Sequence, residues 1–220
     1  MDSVGDGAGP LRVRDLRVAL GGREVVRVGE LEGHRGDLLH LWGENGAGKT
    51  TLLRALAGAV PCRGTVRVMG HPPGSLGARR ATAFVPTDAQ VPDDLTVQEY
   101  LTFMAAAWQV PEGPLRTLAS QFGLAPWLDA WPSTLSRGTR QKVALTAGLG
   151  LGLPLTLLDE PFATLDAASR HTLREAIAAR CRAGGTVMVT THGPELEGLP
   201  RQQLDLTAGT LREPLTGATA

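Results

Sequence analysis

The chain has 220 residues, with 22 basic and 22 acidic side chains and 42% hydrophobic residues. A chain of this length buries roughly 70% of its unfolded surface, enough for one sizeable core, and its charge balance gives no overall field that would attract nucleic acid, so no such partner is expected. The two cysteines, Cys62 and Cys181, have no paired spacing and read as small buried hydrophobes, not as a metal or disulfide framework.

Residues 1–10 are Gly-rich and acidic, without the basic-then-apolar order of a signal peptide. They are expected to be disordered, as is the tail 214–220. Leu11, Val13, Leu16, Val18 and Leu20 roughly alternate before Gly21-Gly22, which predicts a strand and a turn. Residues 25–28 return as a second strand. Residues 38–42 form a short apolar run ending at Gly43; a Gly-rich loop follows, and residues 50–57 carry helix formers up to Gly58. Residues 65–69 and 81–85 are further strands.

The character changes after Pro86. Thr96 and Glu99 make a capping box for a helix running to about Trp108, and residues 109–150 hold Pro, Trp and Leu at helical spacings. Residues 87–152 therefore read as a helical insertion, in which Trp108, Trp127 and Trp131 are expected mainly as core. Residues 155–158 are a buried type of strand running into Asp159 and Glu160. Asp166 caps a helix to about Ala183, residues 186–191 form a strand ending at His192, and 204–206 and 210–211 close as a hairpin across Ala208-Gly209. Strands alternating with helices predict an α/β fold, a mainly parallel sheet with helices on both faces. The longest uncharged run, residues 143–158, is interrupted by Pro154 and is too short to span a membrane. A soluble cytoplasmic chain is expected, one that docks on a membrane through another polypeptide.

Gly43-Glu44-Asn45-Gly46-Ala47-Gly48-Lys49-Thr50 fits the G-x-x-x-x-G-K-[ST] pattern between a strand and a helix. Glycines let successive N–H groups converge on phosphate oxygens, and the following helix points its positive end at the same anion. Lys49 adds a point charge for the outer phosphates, the Thr50 hydroxyl is suited to Mg²⁺, and Thr51 adds a hydrogen bond to the inner phosphate. Asp159 and Glu160 end an apolar strand. Because strand residues alternate in direction, they are expected to differ in role: Asp159 holds Mg²⁺, and Glu160 polarises the attacking water. ATP and Mg²⁺ are the ligands so implied.

Leu135-Ser136-Arg137-Gly138-Thr139-Arg140-Gln141-Lys142-Val143 resembles the LSGGQ signature of ABC (ATP-binding cassette) ATPases with its following helix. The resemblance extends over about residues 11–211. It implies a P-loop NTPase core of ABC type (residues 11–86 and 153–213), a helical subdomain (87–152) and an N-terminal antiparallel β portion. It also implies that Ser136, Arg137, Gly138 and Thr139 act on the nucleotide of a partner subunit, in an ATP-dependent homo- or heterodimer. Ala163-Thr164-Leu165-Asp166 matches the family's D-loop, and His192 matches its switch histidine, which contacts the γ-phosphate beside the catalytic Lys49 and Glu160. The run from Asp159 to His192 resembles haem-exporter-type subunits of cytochrome maturation. The implied function is an ATPase subunit, peripheral on the inner face of the cell membrane, that energises transport by a separate transmembrane permease.

Three positions depart from the family pattern. Thr87 stands where the Q-loop glutamine is expected, with Gln90 three residues on. Leu20 stands near where an aromatic usually stacks on adenine. Arg137 and Thr139 replace Gly and Gln in the signature. Two other readings stay open on sequence alone: a soluble non-transport ABC ATPase, and a regulatory cassette with weak hydrolysis, the latter motivated by Thr87. His34, His40, His71 and His171 share no metal spacing and receive no role.

Overall fold

A computed structural model describes residues 9–207 and 209–212. The expected disorder of the termini thus falls on residues that mostly lie outside the described ones, as does Ala208 in the closing hairpin. The first strand, β1 (Leu11–Leu20), pairs antiparallel with β2 (Arg23–Gly33) and with β4 (Arg63–Val68). The break in alternation between Val13 and Leu16 is a bulge: Asp15 has φ 50°, and Gly64 of β4 crosses so near its carbonyl that a Cβ there would collide. Leu11, Val13, Leu16 and Val18 are fully buried, and the intervening arginines face water.

The remaining strands are β3 (Leu38–Trp42), β5 (Thr82–Val85), β6 (Leu155–Asp159), β7 (Thr186–Thr190), β8 (Gln202–Thr207) and β9 (Thr210–Arg212). Together the described strands make one sheet of order β4-β1-β2-β9-β8-β3-β7-β6-β5, parallel from β8 to β5. Strands β6 and β7 are buried along their length, as strands covered on both faces must be. Leu39, Leu41, Leu155, Leu157 and Met188 face one core, filled by α1 (Lys49–Leu56), α2 (Leu76–Ala81) and the antiparallel strands. Leu38, Leu158, Val187 and Val189 face the other, built with α3 (Val97–Trp108), α4 (Gly113–Gln121), α5 (Arg137–Gly150) and α6 (Ala167–Arg182).

Local signals set most helix ends. Thr96 and Glu99 form the reciprocal capping box ahead of α3, and Asp166 accepts from Ser169 N at 2.8 Å at the start of α6. Helix α2 was not expected. Ser75 caps it, and it claims Ala81, so β5 starts one residue late. The tryptophans divide: Trp108 packs on the second core, but Trp127 and Trp131 are 44% and 48% exposed, against the expectation of core. They stand in and after a short 3-10 turn, Ala125–Trp127, where no helical face directs a side chain inward. Cys62 and Cys181 are free and half-buried.

Candidate active site

The C-terminal ends of β3, β6 and β7 lie side by side, and each opens into a special turn: the glycine loop after Trp42, Glu160 after Asp159, and Thr191-His192 after Thr190. Ligands of open parallel sheets bind outside these ends. Gly43 is buried with φ 155° and lies so tightly under the Leu206 carbonyl that a Cβ would collide. Gly46 and Gly48 have φ 82° and 98°, left-handed conformations that glycine adopts without steric cost, and between them the Ala47 N–H donates to the Glu44 carbonyl at 3.2 Å. Strand β2 leans over Gly48, where a Cβ would lie 2.7 Å from Val26 Cγ2. Leu20, at the end of β1, is 47% exposed, and Glu44 and Asn45 face water at the tip of the loop.

The buried Lys49 donates to the Gly43 carbonyl at 2.6 Å and the Glu44 carbonyl at 3.2 Å, and lies 3.1 Å from His192 Nε2. Burial lowers its pKa, with the Glu160 and Asp159 charges opposing. Asp159 is buried and accepts from the Thr190 hydroxyl at 2.9 Å, while that hydroxyl's oxygen accepts from the Glu160 backbone N–H at 2.7 Å. Thr190, which sequence reasoning missed, therefore ties the two acidic residues together.

Glu160 adopts φ 45°, a left-handed conformation that costs a non-glycine residue about 1–3 kcal/mol. Glu160 lies beyond the end of β6, so this turn, and not the strand alternation expected from sequence, sets its direction relative to Asp159. Burial raises the Glu160 pKa against the pull of His192 and Lys49. Its Oε1 lies 3.1 Å from His192 Nε2, and that nitrogen cannot serve both neighbours. As acceptor from Lys49 it leaves Glu160 Oε1 without a donor, and Oε1 is a buried oxygen with no hydrogen-bond partner among the described residues. A carboxylate oxygen of this kind is suited to take a proton from a bound water.

The structure brings together Lys49, Asp159, Glu160 and His192, with Thr50 and Thr51 opening α1 beside them. Residues 136–139 belong to a different cluster. Ser136 caps α5, accepting from Thr139 N at 3.1 Å, and a Cβ on Gly138 would lie 2.8 Å from the Thr164 carbonyl. Only glycine lets α5 meet the Thr164–Asp166 turn so closely, and Lys142 Nζ bridges to Asp166 at 3.2 Å. Arg137 reaches Asp88 at 3.8 Å, beside the half-buried Thr87; Gln90 is exposed. Among the described residues no hydrogen bond or ion pair joins this cluster to Lys49 or Glu160.

A sequence profile described as "ABC transporter" matches residues 29–163, more than half of the chain. The chain is 36% identical over 195 residues to the cytochrome c biogenesis ATP-binding export protein of Pseudomonas syringae pv. syringae, covering 86% of this chain and 90% of that protein. It is 38% identical over 194 residues to the hemin import ATP-binding protein of Streptomyces coelicolor, covering 80% and 67%. A solved ATP-binding subunit of an ABC transporter superposes with a TM-score of 0.84 at 28% identity, covering 91% of this chain and 87% of that one.

Proposed function

This chain belongs to the ABC transporter family and is an ATP-hydrolysing subunit that energises a transporter, and on that premise we propose how its residues divide the work. The N–H groups of residues 43–50 and Lys49 hold the β- and γ-phosphates, with Thr51 on the α-phosphate and Leu20 against the base. Glu160 accepts a proton from the attacking water, which His192 orients. The observation that carries this reading is the buried Glu160 Oε1, which has no hydrogen-bond donor among the described residues and faces His192 Nε2 at 3.1 Å.

The hard oxygens of Thr50 and of Asp159, whose carboxylate has one bond from Thr190 and capacity for more, fit Mg²⁺. When bound there, the ion neutralises charge on the phosphates. Thr190 keeps Asp159 in place, and Lys49 turns from its own loop carbonyls to the phosphate. The separation of residues 136–139 from this site supports their acting in trans, on the nucleotide of a second ATPase subunit. There Ser136 and the start of α5 contact the γ-phosphate, and Asp166 communicates across the pair.

Residues 87–152 form the helical subdomain that docks on the transmembrane permease at the inner face of the membrane, with Trp127 and Trp131 as exposed anchors and Thr87 at the junction with the ATPase core (residues 11–86 and 153–213). No helix among the described residues is long and apolar enough to cross a membrane. We assign the chain to an export system, on the relatives named for cytochrome c biogenesis that match most of its length. Affinity purification of the tagged protein from gently solubilised membranes tests this. A polytopic membrane protein in stoichiometric amount is expected, and its identity reports the direction of transport; recovery of soluble partners alone would overturn the assignment.

A further inference from the structure

Strand β3 carries two aromatic residues on one face, His40 and Trp42, immediately before the glycine loop. Neither is accounted for by packing. His40 is buried with Nδ1 unpartnered among the described residues, and Trp42 is 40% exposed on a strand otherwise buried. Both turn towards the segment that bears His192.

The last pair of the β3–β7 ladder is Leu41↔Thr190, so Thr191 and His192 have left the sheet and lose its backbone hydrogen bonds. His40 Nε2 takes over at the first of them, lying 3.2 Å from the Thr191 carbonyl, which it meets as donor. Trp42 takes over at the second: its ring stands edge-on to the His192 imidazole, with centroids 6.2 Å apart and planes at 66°. It is likewise T-shaped to His40, at 6.2 Å and 81°. Both separations fall in the range where aromatic pairs attract beyond the area they bury. From below the same turn, Glu195 accepts from the Thr191 hydroxyl at 2.9 Å and is held by Arg170 at 3.5 Å. Thr191, the residue before His192, is therefore held through both its carbonyl and its hydroxyl, whereas the imidazole has Trp42 as its aromatic neighbour.

We propose that Trp42 is a positioning residue for His192, setting the imidazole plane so that Nε2 faces both Glu160 Oε1 and Lys49 Nζ, with His40 securing the backbone that the ring hangs from. Since Trp42 directly precedes Gly43, the brace also links the glycine loop to the histidine, and movement of one is felt by the other. The inference deepens the reading in which His192 orients the attacking water, and rests on it.

A double-mutant cycle on ATP hydrolysis by the intact transporter complex tests it. Trp42→Ala is expected to lower kcat about three- to tenfold, the range one aromatic edge contact supports, with KM for ATP within about twofold, and Trp42→Phe restores most of the rate. In a His192→Ala background, Trp42→Ala costs nothing further, because its contribution passes through the imidazole. If His192→Ala loses turnover but the Trp42→Ala loss adds to it in full, the brace is refuted and the role of His192 stands. If His192→Ala keeps wild-type turnover, the role of His192 fails and the brace with it. A rise in KM at unchanged kcat in Trp42→Ala also overturns the proposal, since Trp42 would then contact nucleotide. The ¹⁵N resonances of His192 in histidine-labelled protein give a readout apart from turnover: they shift in Trp42→Ala and keep their wild-type positions in Trp42→Phe.

Discussion

Strands β1, β2 and β4 alternate buried aliphatic residues with exposed charges, and Arg12 and Arg14 meet Glu32 and Glu30 across the ladder at 3.0 and 3.2 Å. Strands β6 and β7 are instead buried from end to end, and each closes on a buried polar residue, Asp159 and Thr190, whose side chains bond to each other. The antiparallel edge obeys the rules of a stable half-buried sheet almost everywhere. The parallel ends break them together: a left-handed glutamate, a buried lysine, a buried aspartate and a carboxylate oxygen with no hydrogen-bond partner among the described residues. The contrast teaches that stability and chemistry are separable here, and substitutions in the two regions are expected to have opposite signatures.

The largest effect belongs to the strained turn. Glu160→Gln is expected to slow hydrolysis by about 10²- to 10⁴-fold, the scale of a lost general base, while the fold is kept; phosphate release at saturating ATP measures it, and unchanged turnover would remove Glu160 from its role. Next comes Leu16→Ala in β1, a fully buried side chain. Its loss is expected to cost about 2–5 kcal/mol in urea unfolding and leave ATP affinity of the folded fraction intact. A loss of affinity with no loss of stability would break the contrast between the regions.

The pH dependence sharpens it. Because burial raises the Glu160 pKa in the nucleotide-free protein, the base becomes protonated, and kcat/KM for ATP falls, at a pH above the ordinary glutamate value of 4.5; an acid limb of kcat/KM at or below that value would contradict the assignment. The same raised pKa means that ionised Glu160 opposes folding once pH rises through it. Glu160→Gln is accordingly expected to raise the unfolding midpoint at neutral pH, in contrast to Leu16→Ala.

The smallest effect lies at the start of α6. The backbone N–H of Ser169, with Ser169 and Lys142 side chains adding, holds the exposed Asp166 carboxylate down at about 2 from 3.8. A depressed pKa stabilises the fold above the unfolded value and loses that contribution as pH falls through the folded one. Asp166→Ala is therefore expected to destabilise modestly at neutral pH, by a margin that shrinks as pH falls towards and through about 2. A difference between the two that stays constant down to that pH would deny the cap its charge.

Much of this was legible because local physics decides it. The capping box of Thr96 and Glu99, the Asp166 cap, the strand that ends at Asp159 and the Gly-rich loop between strand and helix are signals within a few residues, and the structure forms them. Helix α2 was missed because six residues carry too little periodicity. Trp127 and Trp131 were misplaced because a large apolar residue signals burial on average, whereas exposure depends on which neighbours cover it. Thr190, His40 and Trp42 were overlooked at the site because each matters through a partner far along the chain.

The sequence by itself determined the family, the α/β class and the identity of the phosphate loop, since these rest on the spacing of residues along one segment. Only the tertiary structure decided that Glu160 turns left-handed onto Thr190, that Lys49 and Glu160 compete for one imidazole nitrogen, and that Gly138 is needed against Thr164. Those facts are distances between strand ends brought side by side by the β3–β7–β6 pairing and helices packed on them, and no local pattern encodes a distance between residues that many intervening positions separate.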